Sequence, residues 1–306
     1  MTMLQPPLTK ILAATDLSPP ARHAAGRAAR IARQLDASLT LLHVLPAGPL
    51  DELRQWLGAA AGQRLEDDSL RELTALAGEL RAAHGVSPQA VQRSGVVLDV
   101  LGHEAEACGA DLLVLGARGA SFLRRMVLGT TAERLLRRTQ RPLLVVREAP
   151  HEPYRRALLA IDFSPWSAAV VAQARRVAPK ARPVLLTAFQ VPFEEKLRFA
   201  GVDASVVEHY RQQARAQATQ QLHALADDAG LQPGDWDPCI VEGDASLRLI
   251  EQEQVRDCDL VVLGKHGRSA AEDLLLGSVT KHVLAEGRSD VLVATLPADT
   301  APAALT

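Results

Sequence analysis

Short runs of consecutive apolar residues alternate with longer amphipathic stretches along the whole chain. The first run, Ile11–Thr15, predicts a strand buried on both faces. The stretch from about Pro19 to Gln34 then reads as a helix, with Ser18 placed to cap it and proline in its first turn. Leu39–Val44 predicts a second strand, and the pattern from about Leu50 to Ala83 is helical, with an interruption expected near Gly58 and Gly62. Val91–Arg93 reads as a short third strand, Val96–Cys108 as a helix and Leu112–Leu115 as a fourth strand. A glycine-punctuated loop leads to a helix from Thr130, and Leu143–Val146 is the fifth strand.

The series then starts again. KILAATDLSPPARHA, from Lys10, matches RALLAIDFSPWSAAV, from Arg156. DLLVLGARG from Asp111 matches DLVVLGKHG from Asp259, and LGTTAERLL from Leu128 matches LGSVTKHVL from Leu276. A repeat this long is a duplicated domain rather than a solenoid. The prolines and polar residues of Glu148–Arg155 mark the linker, dividing the chain into residues 1–149 and 150–306. In the second half, strands are expected near Ala157–Ile161, Val184–Phe189, Pro238–Val241, Leu260–Leu263 and Val291–Thr295. Strands alternating with helices imply an α/β fold, here two doubly wound, five-stranded parallel-sheet domains. The strand order expected in each is 3-2-1-4-5, with a switch point between strands one and four.

Composition adds a few limits. With aromatics at only 3% of the 306 residues, the core must be aliphatic, as between helices and a parallel sheet. A net charge of −2 gives no reason to expect nucleic acid or a membrane as partner. Cys108, Cys239 and Cys258 form no CxxC pair and no zinc spacing, so neither disulfides nor a structural metal are expected. No run of about 18 apolar residues occurs, and the first residues lack the charged head and apolar stretch of a signal peptide. A cytoplasmic location is the resulting expectation.

Ligands of open α/β sheets sit beyond the carboxyl ends of the strands at the switch point. After strand one stands Asp16, and Asp162 in the repeat. After strand four, Gly116 and Gly119 are followed nine residues later by Gly129-Thr130; the repeat has Gly264, Gly267 and Gly277-Ser278 at the same spacing. Glycines there let main-chain N–H groups approach phosphate oxygens without a Cβ in the way. The third glycine and its hydroxyl neighbour open a helix, whose N-terminus suits an anion, and Thr130 or Ser278 can cap that helix or meet a phosphate. No lysine follows the last glycine, so this is not a Walker A loop. Arg118, Arg124, Arg125, Lys265 and Arg268 lie in or near these loops, either to neutralise phosphates or as a solvated basic face. Arg134, Arg137, Arg138 and Arg141 read as a charged helix surface rather than a nucleic-acid footprint. His43, inside an apolar strand, reads as a core histidine.

These motifs resemble the universal stress protein family, in its UspA-like subgroup that carries G-2x-G-9x-G-[ST] and binds ATP. The likeness covers nearly all of both halves, including Leu41–Leu45 and Gly95. It implies a Rossmann-like fold related to the adenine nucleotide α-hydrolases. It also implies ATP, ADP or AMP as ligand, Mg²⁺ or Mn²⁺ on the phosphates, and a regulatory or stress-response role with at most slow hydrolysis or autophosphorylation. By that resemblance Asp16, Val44, Gly116, Arg118, Gly119, Gly129 and Thr130 line one site. Asp162, Ala188, Gly264, His266, Gly267, Gly277 and Ser278 line the other, Ala188 being the loosest transfer. The family's habit implies that the apolar fifth strands pair, here half to half, with a homodimer of chains as a further option. The alternatives are a nucleotide-free dimerisation or partner-binding scaffold and, behind it, an adenylating enzyme, whose HxGH and SGGxDS motifs are missing. On this reading Gly116→Val or Gly264→Val abolishes binding by filling the space a phosphate needs.

Overall fold

A computed structural model describes residues 6–117, 130–191, 199, 202–267 and 276–296. In half one the elements are β1 (Lys10–Thr15), α1 (Pro19–Leu35), β2 (Ser38–Pro46), α2 (Ala47–Leu57), α3 (Ala59–His84), β3 (Gln89–Gly95), α4 (Val97–Ala107), β4 (Leu112–Gly116), α5 (Thr130–Arg138) and β5 (Leu143–Val146). Half two contributes β6 (Arg156–Ala160), α6 (Pro165–Val177), β7 (Arg182–Phe189), α7 (Ala204–Asp228), β8 (Asp237–Glu242), α8 (Ala245–Val255), β9 (Leu260–Gly264), α9 (Ser278–Glu286) and β10 (Asp290–Ala294). The interruption expected in the long helix of half one falls at Gly58, whose φ of 87° ends α2 and starts α3.

Within each half all strands run parallel, in the order 3-2-1-4-5. The fifth strands pair half to half, as the family resemblance implied, and the correction concerns what that pairing makes of the two sheets. The halves do not carry two separate sheets: β5 and β10 pair antiparallel, Leu144 opposite Leu292, and one ten-stranded sheet runs β3-β2-β1-β4-β5-β10-β9-β6-β7-β8. The fifth strands therefore lie at its centre, where Leu143–Val146 and Asp290–Ala294 are buried throughout.

Strand alternation splits the core into two layers. Ile11 and Ala13 face a cluster that includes Ala24, Ala28 and Leu76 of α1 and α3, while Leu12 faces Leu101, Ala105 and Leu135 of α4 and α5. Half two repeats this, with Leu159 toward Val170 and Leu222, and Leu158 toward Leu249 and Val283. Each half also pins its opening strand by a carboxylate ahead of its fourth: Asp111 accepts from the Thr9 and Lys10 amides, Asp259 from those of Arg155 and Arg156. These bonds fix β1 against β4 and β6 against β9, which sets the walls of the two switch-point crevices.

Candidate functional site

Beyond β6 the chain turns through Asp162, Phe163 and Ser164. Phe163 is left-handed, with φ of 60°, as is its counterpart Leu17 at 67° in half one. A non-glycine residue in that conformation costs about 1–2 kcal/mol, and the preceding carboxylate offsets it. Asp162 Oδ1 accepts from the Ser164 amide and the Ser167 hydroxyl, each at 3.0 Å. Asp16 Oδ1 likewise accepts from the Ser18 amide at 3.1 Å and from its hydroxyl. Ser18 thus stands at the N-cap but makes no side-chain cap, because its hydroxyl is directed at Asp16. Thr15 supports the turn in half one, its Oγ1 accepting from the Leu17 amide at 3.0 Å; Ile161 replaces it in half two, where the Ser167 hydroxyl oxygen instead accepts from the Asp162 amide at 3.3 Å.

This turn forms one wall of a cleft of about 1040 Å³ at the carboxyl ends of β6, β7 and β9. Asp162, Ala188, Gly264, His266, Gly267, Gly277 and Ser278 all line it. The strand ladder accounts for Ala188: Ala14 lies opposite Leu42 and Ala160 opposite Leu186, so two residues further on Val44 and Ala188 hold the same place. In half one Asp16, Val44 and Gly116 stand at the carboxyl ends of the adjacent strands β1, β2 and β4. Arg118, Gly119, Gly129, Arg124, Arg125 and Arg268 lie outside the described residues, as does the side chain of Thr130.

The three glycines of half two differ in what requires them. A Cβ on Gly264 would come within 2.9 Å of both Trp166 Cβ and the His266 carbonyl oxygen. Glycine there makes room for Trp166 and the His266 backbone, so Gly264→Val strains the fold itself, apart from any effect on a phosphate. A Cβ on Gly267 would meet Asp162 Oδ2 at 3.0 Å. Gly277 is otherwise: its φ is −56°, and a Cβ would find nothing nearer than the Lys265 carbonyl at 3.6 Å. Neither torsion nor crowding among the described residues calls for glycine at 277. Gly277 is also the N-cap of α9, without a side-chain cap, so Ser278 is the first helical residue and not the cap.

Sequence reasoning missed several cleft residues. Trp166 lies on the first turn of α6, its ring tilted against His266 at 5.1 Å between centroids. Gln217 and Gln221, one turn apart on α7, and Asp244 complete the opposite side. A search confined to residues just after strands cannot find groups contributed by helices. Lys265, a candidate phosphate partner, turns out of the cleft: it is buried, and its Nζ donates to the carbonyls of Arg137 and Thr139. In the basic cluster, Arg137 pairs with Glu133 and Arg138 with Asp99, as a charged surface would. His43 is buried with Nδ1 2.8 Å from the Thr15 carbonyl, a core position. Among the described residues no three His, Cys, Asp or Glu side chains are placed to hold a metal ion, and no helix is long and apolar enough to cross a membrane.

The model of the universal stress protein family matches residues 7–147 and again 153–295. The chain belongs to the universal stress protein family. A universal stress protein of Mycolicibacterium smegmatis is 28% identical over 309 residues, covering 92% of this chain and 96% of that protein. One from Mycobacterium tuberculosis is 30% identical over 189 residues, 60% of this chain and 62% of the relative. The crystal structure of a universal stress protein from Archaeoglobus fulgidus superimposes with a TM-score of 0.69 at 17% identity, covering 94% of this chain and 98% of the other; that likeness concerns the fold.

In this universal stress protein the cleft mouth depends on a helix cap. Asp244 Oδ1 accepts from the Ser246 and Leu247 amides at 2.9 and 3.1 Å, capping α8. The Ser246 hydroxyl, then the Leu247 amide, hold its carboxyl below the ordinary aspartate value. Asp244→Ala is expected to lower stability by about 1 kcal/mol in urea denaturation at neutral pH. Because the folded pKa is depressed, that contribution is whole above the ordinary value of 3.8 and is lost as pH falls through the folded value. The gap between parent and variant should therefore narrow below about pH 4.

Proposed function

We propose that the half-two cleft holds an adenine nucleotide, ATP or its di- or monophosphate, and that the chain serves a regulatory or stress-response role rather than fast turnover. The observation that carries this reading is Gly277, a glycine with no torsional need and, among the described residues, no steric need of its own, facing a cleft where α9 begins. The first N–H groups of α9 have no acceptor within the helix and carry its positive dipole end, so they suit phosphate oxygens. Asp162, an acceptor at the other wall, suits ribose hydroxyls or the base amino group. Membership of the family supports adenine as the base. Mg²⁺ or Mn²⁺ would arrive on the phosphates. Ser278 is the hydroxyl to watch for autophosphorylation. Half one would hold a second nucleotide on Asp16, Val44, Gly116, Arg118, Gly119, Gly129 and Thr130. A cytoplasmic location and a homodimer of chains complete the reading.

One observation favours the second reading, a nucleotide-free scaffold: Trp166 packs directly beside Gly264, which gives that glycine a reason without any ligand. Titration calorimetry with ATP separates the two. On the first reading the chain binds ATP, and Gly277→Ala weakens half two about tenfold, since a Cβ then stands where phosphate approaches. Its unfolding midpoint should move by no more than a cap change of about 1 kcal/mol allows. Binding unaltered by Gly277→Ala, or no binding by the parent chain, would sink the assignment.

A further inference from the structure

Half one grips the half-two cleft at two points. Lys265 stands between the cleft-lining residues Gly264 and His266, yet its side chain crosses the junction. Its Nζ donates to the carbonyls of Arg137 at 3.2 Å and Thr139 at 3.1 Å, where α5 ends. Arg147, directly after β5, reaches the opposite way. Its Nη2 donates to the carbonyls of Leu284 at 2.6 Å and Val283 at 3.3 Å, in the last turns of α9. That is the helix whose first residues, Ser278–Thr280, line the cleft. A cation at its far end reinforces the dipole whose positive end faces the ligand space. Both parts of the proposed phosphate cradle are thus tied to the other half: the 264–267 loop through Lys265, and α9 through Arg147.

Duplication alone does not produce these ties. The Lys265 amide donates to the Ala294 carbonyl as the Ala117 amide donates to that of Val146, so Ala117 is the counterpart of Lys265 and has nothing to send across. By the same pairing Thr295 is the counterpart of Arg147, and it is too short for such a reach. The two crossing side chains both serve the half-two cleft.

We propose that Lys265 and Arg147 are positioning residues that make the ligand affinity of half two depend on half one. The proposal rests on the nucleotide reading of the cleft. The test uses the full chain and two readouts, ATP titration and amide hydrogen exchange without ligand. Lys265→Met should speed exchange across 264–267 and at Gly277, whose amide donates to the Lys265 carbonyl. Arg147→Met should do so at the start of α9. Each should weaken ATP binding about tenfold while the fold persists by circular dichroism, and Lys265→Arg should restore much of the affinity. Arg27→Met is the control: it breaks an ion pair with Asp290 Oδ2 at the same junction, leaves the Arg147 amide its separate acceptor Oδ1, and touches no cleft residue among those described. It should lower the melting temperature and leave cleft exchange and affinity alone. Parent-like exchange and affinity in both Lys265→Met and Arg147→Met would overturn the proposal, as would an equal loss of affinity in Arg27→Met. If the parent chain binds no ATP, the nucleotide reading falls, and the exchange data still decide whether the junction positions the cleft.

Discussion

An Asp290→Ala chain is expected to unfold at a clearly lower urea concentration, with stability reduced by about 3–5 kcal/mol. Asp290 is only 4% exposed and gathers donors from both halves. Its Oδ1 accepts from the Arg147 amide at 2.8 Å; its Oδ2 accepts from the Tyr154 hydroxyl at 2.6 Å and from Arg27 Nε at 3.1 Å. Arg27, from α1, also donates to the Glu152 carbonyl and lies 4.1 Å from the centre of the Tyr154 ring. Without the carboxylate, the buried guanidinium keeps the Glu152 carbonyl but loses its counter-charge, the buried Tyr154 hydroxyl loses its acceptor, and these losses dominate the cost. Asp290→Asn keeps shape and one acceptor and should lose less. Burial pushes the Asp290 carboxyl up, and the bonds from Tyr154, the Arg147 amide and Arg27 recover only part of this. The folded chain therefore holds that proton more tightly than the unfolded one. This residue's stabilising share is whole below the ordinary value of 3.8 and declines as pH rises through the folded value. Asp290→Asn should flatten that decline, and a parent-minus-variant difference constant from about pH 4 to 7 would contradict it.

Gly264→Val is the second large effect, expected at about 3 kcal/mol in thermal or urea denaturation. A Cβ alone would come within 2.9 Å of Trp166 Cβ and of the His266 carbonyl, and valine adds two branches to that collision. Trp166→Gly, which removes the clashing Cβ, should relieve only part of the strain in the Gly264→Ala background, because the His266 carbonyl belongs to the backbone and cannot swing away. A Gly264→Val chain as stable as the parent would mean that the indole does not pack there. Loss of ligand in this variant says little about phosphate contact, which is why Gly277 is the better probe.

The strands were legible because parallel strands buried on both faces are runs of Leu, Val and Ile; their order 3-2-1-4-5 was expected from the usual crossovers rather than fixed by any residue, and each half adopts it. Asp162 and the glycine positions stood out because they follow strands whose carboxyl ends must converge, whereas Ala188, inside β7, came only from the family resemblance. The seam that makes one sheet of the two halves came from the family resemblance and not from the residues. Leu143–Val146 announces an apolar edge needing cover, but nothing local distinguishes a helix, a tail or the other half as the cover. Lys265 misled because proximity along the chain suggested the cleft, whereas its direction is set by helix-end carbonyls more than a hundred positions away. Ser18 carried two local signals at once, a helix start and an Asp two residues before it, and the carboxylate won. Trp166 follows from the sequence only once α6 is known to start beside the Gly264 recess.

The antiparallel seam between β5 and β10 bears on how this architecture behaves at low abundance. Two free copies joined along such a seam would separate on dilution. Covalent linkage makes the encounter intramolecular, at an effective concentration of about millimolar or more for a short tether. The joined state is then independent of expression level, and what remains open at the two far ends is the polar β3 and a β8 carrying Pro238, strands poorly suited to recruiting further copies.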